Sequence, residues 1–361
     1  MTEWRDCKFG EIATFSYGKM PNKKNIVDCG YPIFSGYKIV GYYNSYMYED
    51  PQLIIVARGV GGTGDVKISP PKSYITNLSI IAELHPDKAN KKFLYYYFKI
   101  NNLRELDSGS AQSQITINDL NNYCITLPPL PEQKAIAEVL SSLDDKIDLL
   151  TRQNKTLEDL AQAYFRKWFI EDASDEWEVG KLGDEFNITM GQSPKGETYN
   201  DLKIGLPFFQ GKAEFGFRFP LEKQYCSEPI KIADKFDTLL SVRAPVGALN
   251  MALYKCCIGR GLAIPIHKKG YKHYTFYKMK SLQELFNTFD DDGTVFGSIS
   301  REKFLSIDNV IPPEKLVCYF DNFAKYFDLK IYENTVQIRT LSKLRDTLLP
   351  KLISGEVRVN I

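Results

Sequence analysis

Arg58 and Arg243 each close an apolar run, at residues 52–57 and 238–242, and each enters a loop containing glycine. A guanidinium held there can donate two hydrogen bonds to guanine O6 and N7, or it can turn inward to a carboxylate as a structural ion pair; both roles stay open at this stage. Lys19, Lys23 and Lys24 follow Gly18, while Gln192 and Lys195 follow Gly191, and such side chains reach phosphate oxygens and base edges. The polar run at 109–114 contributes Gln112 and Gln114, and the similar run at 293–300 contributes Ser298. Lys212 and Arg260 complete the candidate DNA-binding set. For most single members a solvated loop is the commoner role.

Catalytic patterns are mostly absent. Residues 59–64 read GVGGTG and formally match the dinucleotide fingerprint, but the following DVKISPP cannot open a helix, so a hairpin loop is expected there. No GxxxxGK[ST], HExxH or GxSxG occurs, and the nearest approach to an amino-methyltransferase tetrad, Ser69-Pro70-Pro71-Lys72, lacks the aromatic that stacks on a flipped base. The three histidines and the seven cysteines without a CxxC pair suggest neither a metal site nor a disulfide framework, so the thiols are expected to be buried and reduced. Tyr95, Tyr96 and Tyr97, set among Phe93, Leu94, Phe98 and Ile100, read as core rather than as a stacking platform. The chain is expected to catalyse nothing, with no metal and no cofactor of its own.

These residues must be positioned by repeated elements. At an offset of 173, Trp4, Lys8, Gly10, Gly18 and Pro21 match Trp177, Lys181, Gly183, Gly191 and Pro194. At an offset of 184, Gly109, Ile115, Pro128 and Pro129 recur as Gly293, Ile299, Pro312 and Pro313. The chain is a tandem duplication. Each copy begins with short β-branched and aromatic runs broken by Gly, Pro and Asn, and ends after a double proline in a long stretch fit for a helix. An α+β architecture follows: a globule at 1–127, a helix at 128–172, a globule at 173–311 and a helix at 312–361.

In the first helix Ile136, Leu140, Leu143, Ile147, Leu150, Asn154, Leu157, Ala161, Tyr164 and Trp168 are spaced 4,3 throughout, as in a coiled-coil seam. The second seam runs Phe320, Ala324, Phe327, Ile331, Asn334, Ile338, Leu341, Arg345, Leu348 and Leu352. Antiparallel pairing in which facing numbers add to 488 sets Asn154 against Asn334, Leu157 against Ile331, Ala161 against Phe327 and Tyr164 against Ala324. The two amides then satisfy each other, and Arg345 faces Leu143 near one end with its head in water. A helix of some 40 residues is about 60 Å long and would act as a spacer, with a globule at each end related by an approximate two-fold axis.

The chain's 361 residues fit two to three domains, and its formal charge of +1 announces no nucleic-acid partner by itself. Its distribution is more informative. Counting Lys, Arg, Asp and Glu, residues 1–127 and 177–311 are each +2 and residues 128–176 are −5, which permits DNA on the globules and disfavours it along the first helix. No apolar run is long enough for a membrane helix and no apolar leader opens the chain, so a cytoplasmic location is expected.

The segment Leu127-Pro128-Pro129-Leu130-Pro131-Glu132-Gln133-Lys134-Ala135-Ile136-Ala137, with the Trp4 to Gly18 opening repeated from Trp177, resembles the DNA-specificity subunit of type I restriction-modification enzymes. The second copy departs from the pattern, since Pro312-Pro313-Glu314-Lys315 lacks the LPEQ run. The resemblance implies two target-recognition domains, each reading half of a bipartite duplex site, and helices that hold two modification subunits methylating adenine N6 with S-adenosylmethionine. Restriction subunits using ATP and magnesium would join them. The other readings are a catalytic recognition half of a fused enzyme and a coiled-coil scaffold without DNA.

Overall fold

A computed structural model describes residues 4–59, 62–107, 114–289 and 297–359. The chain divides into two compact units, the first made of Met1–Asp148 with Arg339–Ile361 and the second of Leu149–Ile338. Both long helices, Leu130–Arg166 and Glu314–Ile353, contribute a segment to each unit. Sequence boundaries fall at the double prolines, whereas these units cut the helices, because each globule packs on both of them.

In the first unit, Arg5–Lys8 pairs antiparallel with Cys124–Leu127 and closes the globule just before the double proline. Its main sheet runs Ala13–Tyr17, Ser79–Leu84, Leu53–Val56, Val66–Ile68, and a smaller sheet carries Ile26–Val27, Ile39–Tyr43, Tyr31–Phe34 and Tyr74–Ile75. Leu53, Ile54, Ile55 and Val56 are all fully buried, so this central strand reads as a continuous apolar run, covered on both faces, instead of alternating. The GVGGTG motif lies in the turn of the antiparallel hairpin Leu53–Val56 with Val66–Ile68, and Val60 and Gly61 fall outside the described residues. Helix Lys91–Ile100 is capped by Asn90, whose side chain accepts from Phe93 N at 3.0 Å. It buries Phe93, Tyr96, Tyr97 and Phe98 in the core.

The second unit repeats this plan. Glu178–Lys181 pairs with Asp308–Ile311, and the main sheet runs Phe186–Met190, Leu262–His267, Thr238–Ser241, Leu249–Met251 in the same order. Of the cysteines only Cys226, Cys256 and Cys257 are buried, while Cys29 and Cys124 are exposed, which corrects the expectation that all are core thiols. Burial pushes the Cys257 thiol up to about 11.

Within each unit the two helix segments run antiparallel. In the second, Asn334 Nδ2 donates to Asn154 Oδ1 at 3.0 Å with both amides buried, and Asn154 Nδ2 reaches Thr335 Oγ1 at 3.4 Å. Further along, Trp168 packs on Tyr319 at 5.5 Å between ring centroids. Ala161, Ala324 and Ile331 are buried as the seam requires, but Tyr164 is 38% exposed and Phe165 takes the buried place. Phe165 packs against Tyr274 and Phe320 of the globule's core, and the helix widens to a π-turn over Lys167–Glu171. In the first unit Arg345 does not simply send its head to water: Nη1 donates to Asp144 Oδ1 at 2.7 Å, and its other nitrogens bind Asp346.

Equivalent carboxylates fasten each globule to the helices. Asp144 accepts from Tyr96 Oη at 2.7 Å, and Asp328, at the matching repeat position, accepts from Tyr277 Oη at 3.2 Å. Asp328 also takes Arg218 Nη1 at 2.8 Å and faces His273 Nδ1 at 2.7 Å. All of Arg218 and Asp328 is buried, so each charge offsets the desolvation of the other. The LPEQ run works inside the chain: Gln133 accepts from Asn90 N at 2.9 Å and donates to the Lys88 and Pro128 carbonyls, and Glu132 takes both Arg358 Nε and Nη2. In the second copy the residue at the place of Glu132 is Leu316, and the nearby Glu314 pairs with Lys269 on the surface.

Candidate DNA-reading loops

The loops at one end of each main sheet are built by the same backbone bonds. Gly18 N donates to Ser79 O at 3.0 Å and Lys19 N to Ile75 O at 3.0 Å; Gly191 N donates to Leu262 O at 2.9 Å and Gln192 N to Ile258 O at 3.2 Å. A side chain is forbidden at both glycines, since a Cβ would fall 2.2 Å from the Thr76 carbonyl oxygen in one copy and 2.2 Å from that of Gly259 in the other. The matched glycines are thus a packing requirement that the duplication preserved.

Each arginine sits one residue beyond the strand-end pairing. Ile115 N donates to Ala57 O and Ile299 N to Val242 O, at 3.0 and 3.1 Å, and isolated bridges join Arg58 to Gln114 and Arg243 to Ser298. Backbone pairing therefore brings together, in each copy, an arginine and a polar residue from 56 or 55 positions further along. Arg58 and Arg243 are exposed, and neither forms an ion pair among the described residues.

In the second globule Arg243, Arg260 and Ser298 line one cleft of about 640 Å³ with Met190, Gly191 and Ala244. Gln192, next to Gly191 in the chain, is exposed but does not line the cleft. Three exposed polar side chains around a concave surface, two of them cationic, suit a polyanion's phosphates and base edges. Lys195 is exposed 3.8 Å from Glu197, and Lys212 opens the short helix Lys212–Glu214; neither lines the cleft. In the first globule Lys19 is exposed, and Lys23 and Lys24 lie on the short helix Lys23–Asn25, capped by the Asn22 side chain. Gln112 lies outside the described residues, and Gln114 is half-buried with its N–H given to Asp107 Oδ1 at 2.9 Å.

Three residues escaped the sequence reading. Tyr37 stands beside Gly59 in the arginine loop, its hydroxyl pushed above the usual phenol range by burial and by Asp65. In the second copy, Gln210 and Ser193 form a hydrogen-bonded pair at 3.0 Å. The signal was present as Phe34-Ser35-Gly36-Tyr37 and Phe209-Gln210-Gly211-Lys212, a fourth shared glycine after a shared phenylalanine.

Comparisons with known proteins agree with these features. A model of the type I restriction modification DNA specificity domain matches residues 1–159. The chain is 35% identical over 302 residues to a putative type I restriction enzyme MjaX specificity subunit of Methanocaldococcus jannaschii, covering 76% of this chain and 71% of the relative. It is 29% identical over 315 residues to the MjaIX specificity subunit of the same organism, covering 76% and 70%. The crystal structure of a type I restriction-modification S subunit from M. genitalium superposes with a TM-score of 0.75 at 22% identity, over 97% of this chain and 96% of that one, and so shares the fold. With its duplicated globules, paired helices and matched polar loops, the chain belongs to the specificity subunits of type I restriction enzymes, whose task is to recognise DNA sequence.

Proposed function

We propose that each globule reads one half of a bipartite site in duplex DNA, and that the two long helices dock two modification subunits. The observation that carries this reading is the twin constellation of Gly18, Arg58 and Gln114 against Gly191, Arg243 and Ser298, set on the same backbone pairings. Two similar but non-identical readers suit two half-sites. S-adenosylmethionine would bind the modification subunits, and ATP with magnesium would bind restriction subunits that join them; this chain then contributes recognition and transfers no methyl group. Among the described residues no helix is long and apolar enough to cross a membrane, in keeping with a cytoplasmic place of work.

The test is methylation sequencing of DNA from cells carrying the chain with its modification partner. The expected result is adenine methylation at a two-part motif that requires both proteins, with none from the isolated chain. Methyl transfer by the purified chain alone would overturn the assignment of roles. Arg243→Ala should loosen only the half-site read by the second globule, by about 1–3 kcal/mol if the guanidinium contacts a base. A uniform loss at all sequences would make it a phosphate contact.

A further inference from the structure

If the two globules read different half-sites, residues that are the same in both cannot tell the halves apart. Arg58 and Arg243 are the same residue in equivalent loops, as are Gly36 and Gly211. Discrimination must come from equivalent positions that differ, and one of these is built as a fixed hydrogen-bonding group.

Strand Tyr31–Phe34 lies parallel to Tyr74–Ile75, and Leu206–Phe209 lies parallel to Cys256–Ile258. Phe34 O accepts from Thr76 N at 3.1 Å and Phe209 O from Gly259 N at 2.9 Å, which makes the next residues, Ser35 and Gln210, structural equivalents. Ser35 is buried and its hydroxyl turns back to Lys38 O at 3.5 Å. Gln210 is exposed.

Its backbone is clamped, with Gly261 N donating to Gln210 O at 3.1 Å. A Cβ on Gly259 would stand 2.5 Å from Gln210 Oε1 and 3.0 Å from its Cα, so this loop lies close against the residue. The amide is oriented by a relay. Arg260 N–H donates to Ser193 Oγ at 3.3 Å, which leaves the single hydroxyl proton to donate to Gln210 Oε1 at 3.0 Å. That bond fixes which end of the amide is oxygen. Nε2 and the second lone pair of Oε1 have no partner among the described residues, and Gln210 packs on the turn of Gly259 and Gly261, whose Arg260 lines the cleft that also holds Arg243 and Ser298. A free acceptor next to a free donor on one rigid amide matches the major-groove edge of adenine, which offers N6–H and N7.

We propose that Gln210 reads an adenine in the half-site of the second globule, accepting from N6 and donating to N7, with Ser193 as its positioning residue. The proposal rests on the second globule being a DNA reader.

The experiment is methylation sequencing of DNA exposed to the complex of full-length chain and modification partner, comparing the parent with Gln210→Ala, Gln210→Glu and Ser193→Ala. Gln210→Ala should lose roughly 5- to 150-fold of discrimination at one A·T position of one half-site and leave every other position intact. Gln210→Glu keeps the shape but offers acceptors only, and should move the preference at that position toward cytosine, whose N4 donates. Ser193→Ala should relax the same position and no other, at an unchanged melting temperature. An unaltered motif with Gln210→Ala and Gln210→Glu, or an equal loss at all positions, would overturn the role of Gln210. A parent complex that methylates without sequence preference would overturn the DNA-reading assignment itself, so the two failures are told apart by the parent.

Discussion

At the scale of single residues, the buried amide pair gives the clearest prediction. Asn154 and Asn334 are 3% and 1% exposed and bonded to each other, so changing either to Leu strands one amide at a cost of about 1–3 kcal/mol. Changing both removes the polar groups together, and thermal unfolding should show the double variant more stable than the sum of the singles implies. Additive losses would contradict the pairing. Asp144 gives a second. Burial alone would raise its carboxyl, but hydrogen bonds from Arg345 and Tyr96 and the charge of Lys99 hold it below the usual carboxylate range. Its stabilisation is therefore complete above the unfolded value of about 4 and lost as pH falls through the lower folded value. Asp144→Asn should flatten the acid limb of melting temperature against pH, and curves parallel to the parent's would contradict this. The amide pair was legible in the sequence, because two asparagines interrupt otherwise apolar seams at matched spacing. Gln210 was not, because its partner Ser193 lies 17 residues away and their meeting depends on a parallel strand pairing.

At the scale of elements, the helices were legible over most of their length, since a 4,3 spacing kept over ten positions has few other readings. The spacing misleads at Tyr164. Two adjacent aromatics, Tyr164 and Phe165, compete for one buried place, and the aromatic core around Tyr274 and Phe320 selects the one that carries no hydroxyl to satisfy. Phe165→Ala should then cost about 3–5 kcal/mol in chemical denaturation, in the range of a buried aromatic, while Tyr164→Ala should cost much less. Equal costs would restore Tyr164 to the seam. The sheets were less legible, because strands of two to six residues interleave and the parallel contacts join segments that no local pattern connects.

At the scale of the whole molecule, duplication was readable from glycine, proline and tryptophan at constant offsets, and the structure gives the physical reason for several of them. What the offsets do not reveal is how each globule is closed: its first strand pairs with its last, Arg5–Lys8 with Cys124–Leu127 and Glu178–Lys181 with Asp308–Ile311. Each globule thus begins and ends on one two-stranded ribbon, a natural seam for exchange. The central claim, that each copy reads its own half of the site, is tested most directly by replacing residues 177–311 with residues 4–127 and sequencing the methylated DNA made with the modification partner. A folded double-first chain should methylate a site whose two halves both match the half that the first globule reads in the parent. Retention of the parent's second half-site in that motif would contradict the account.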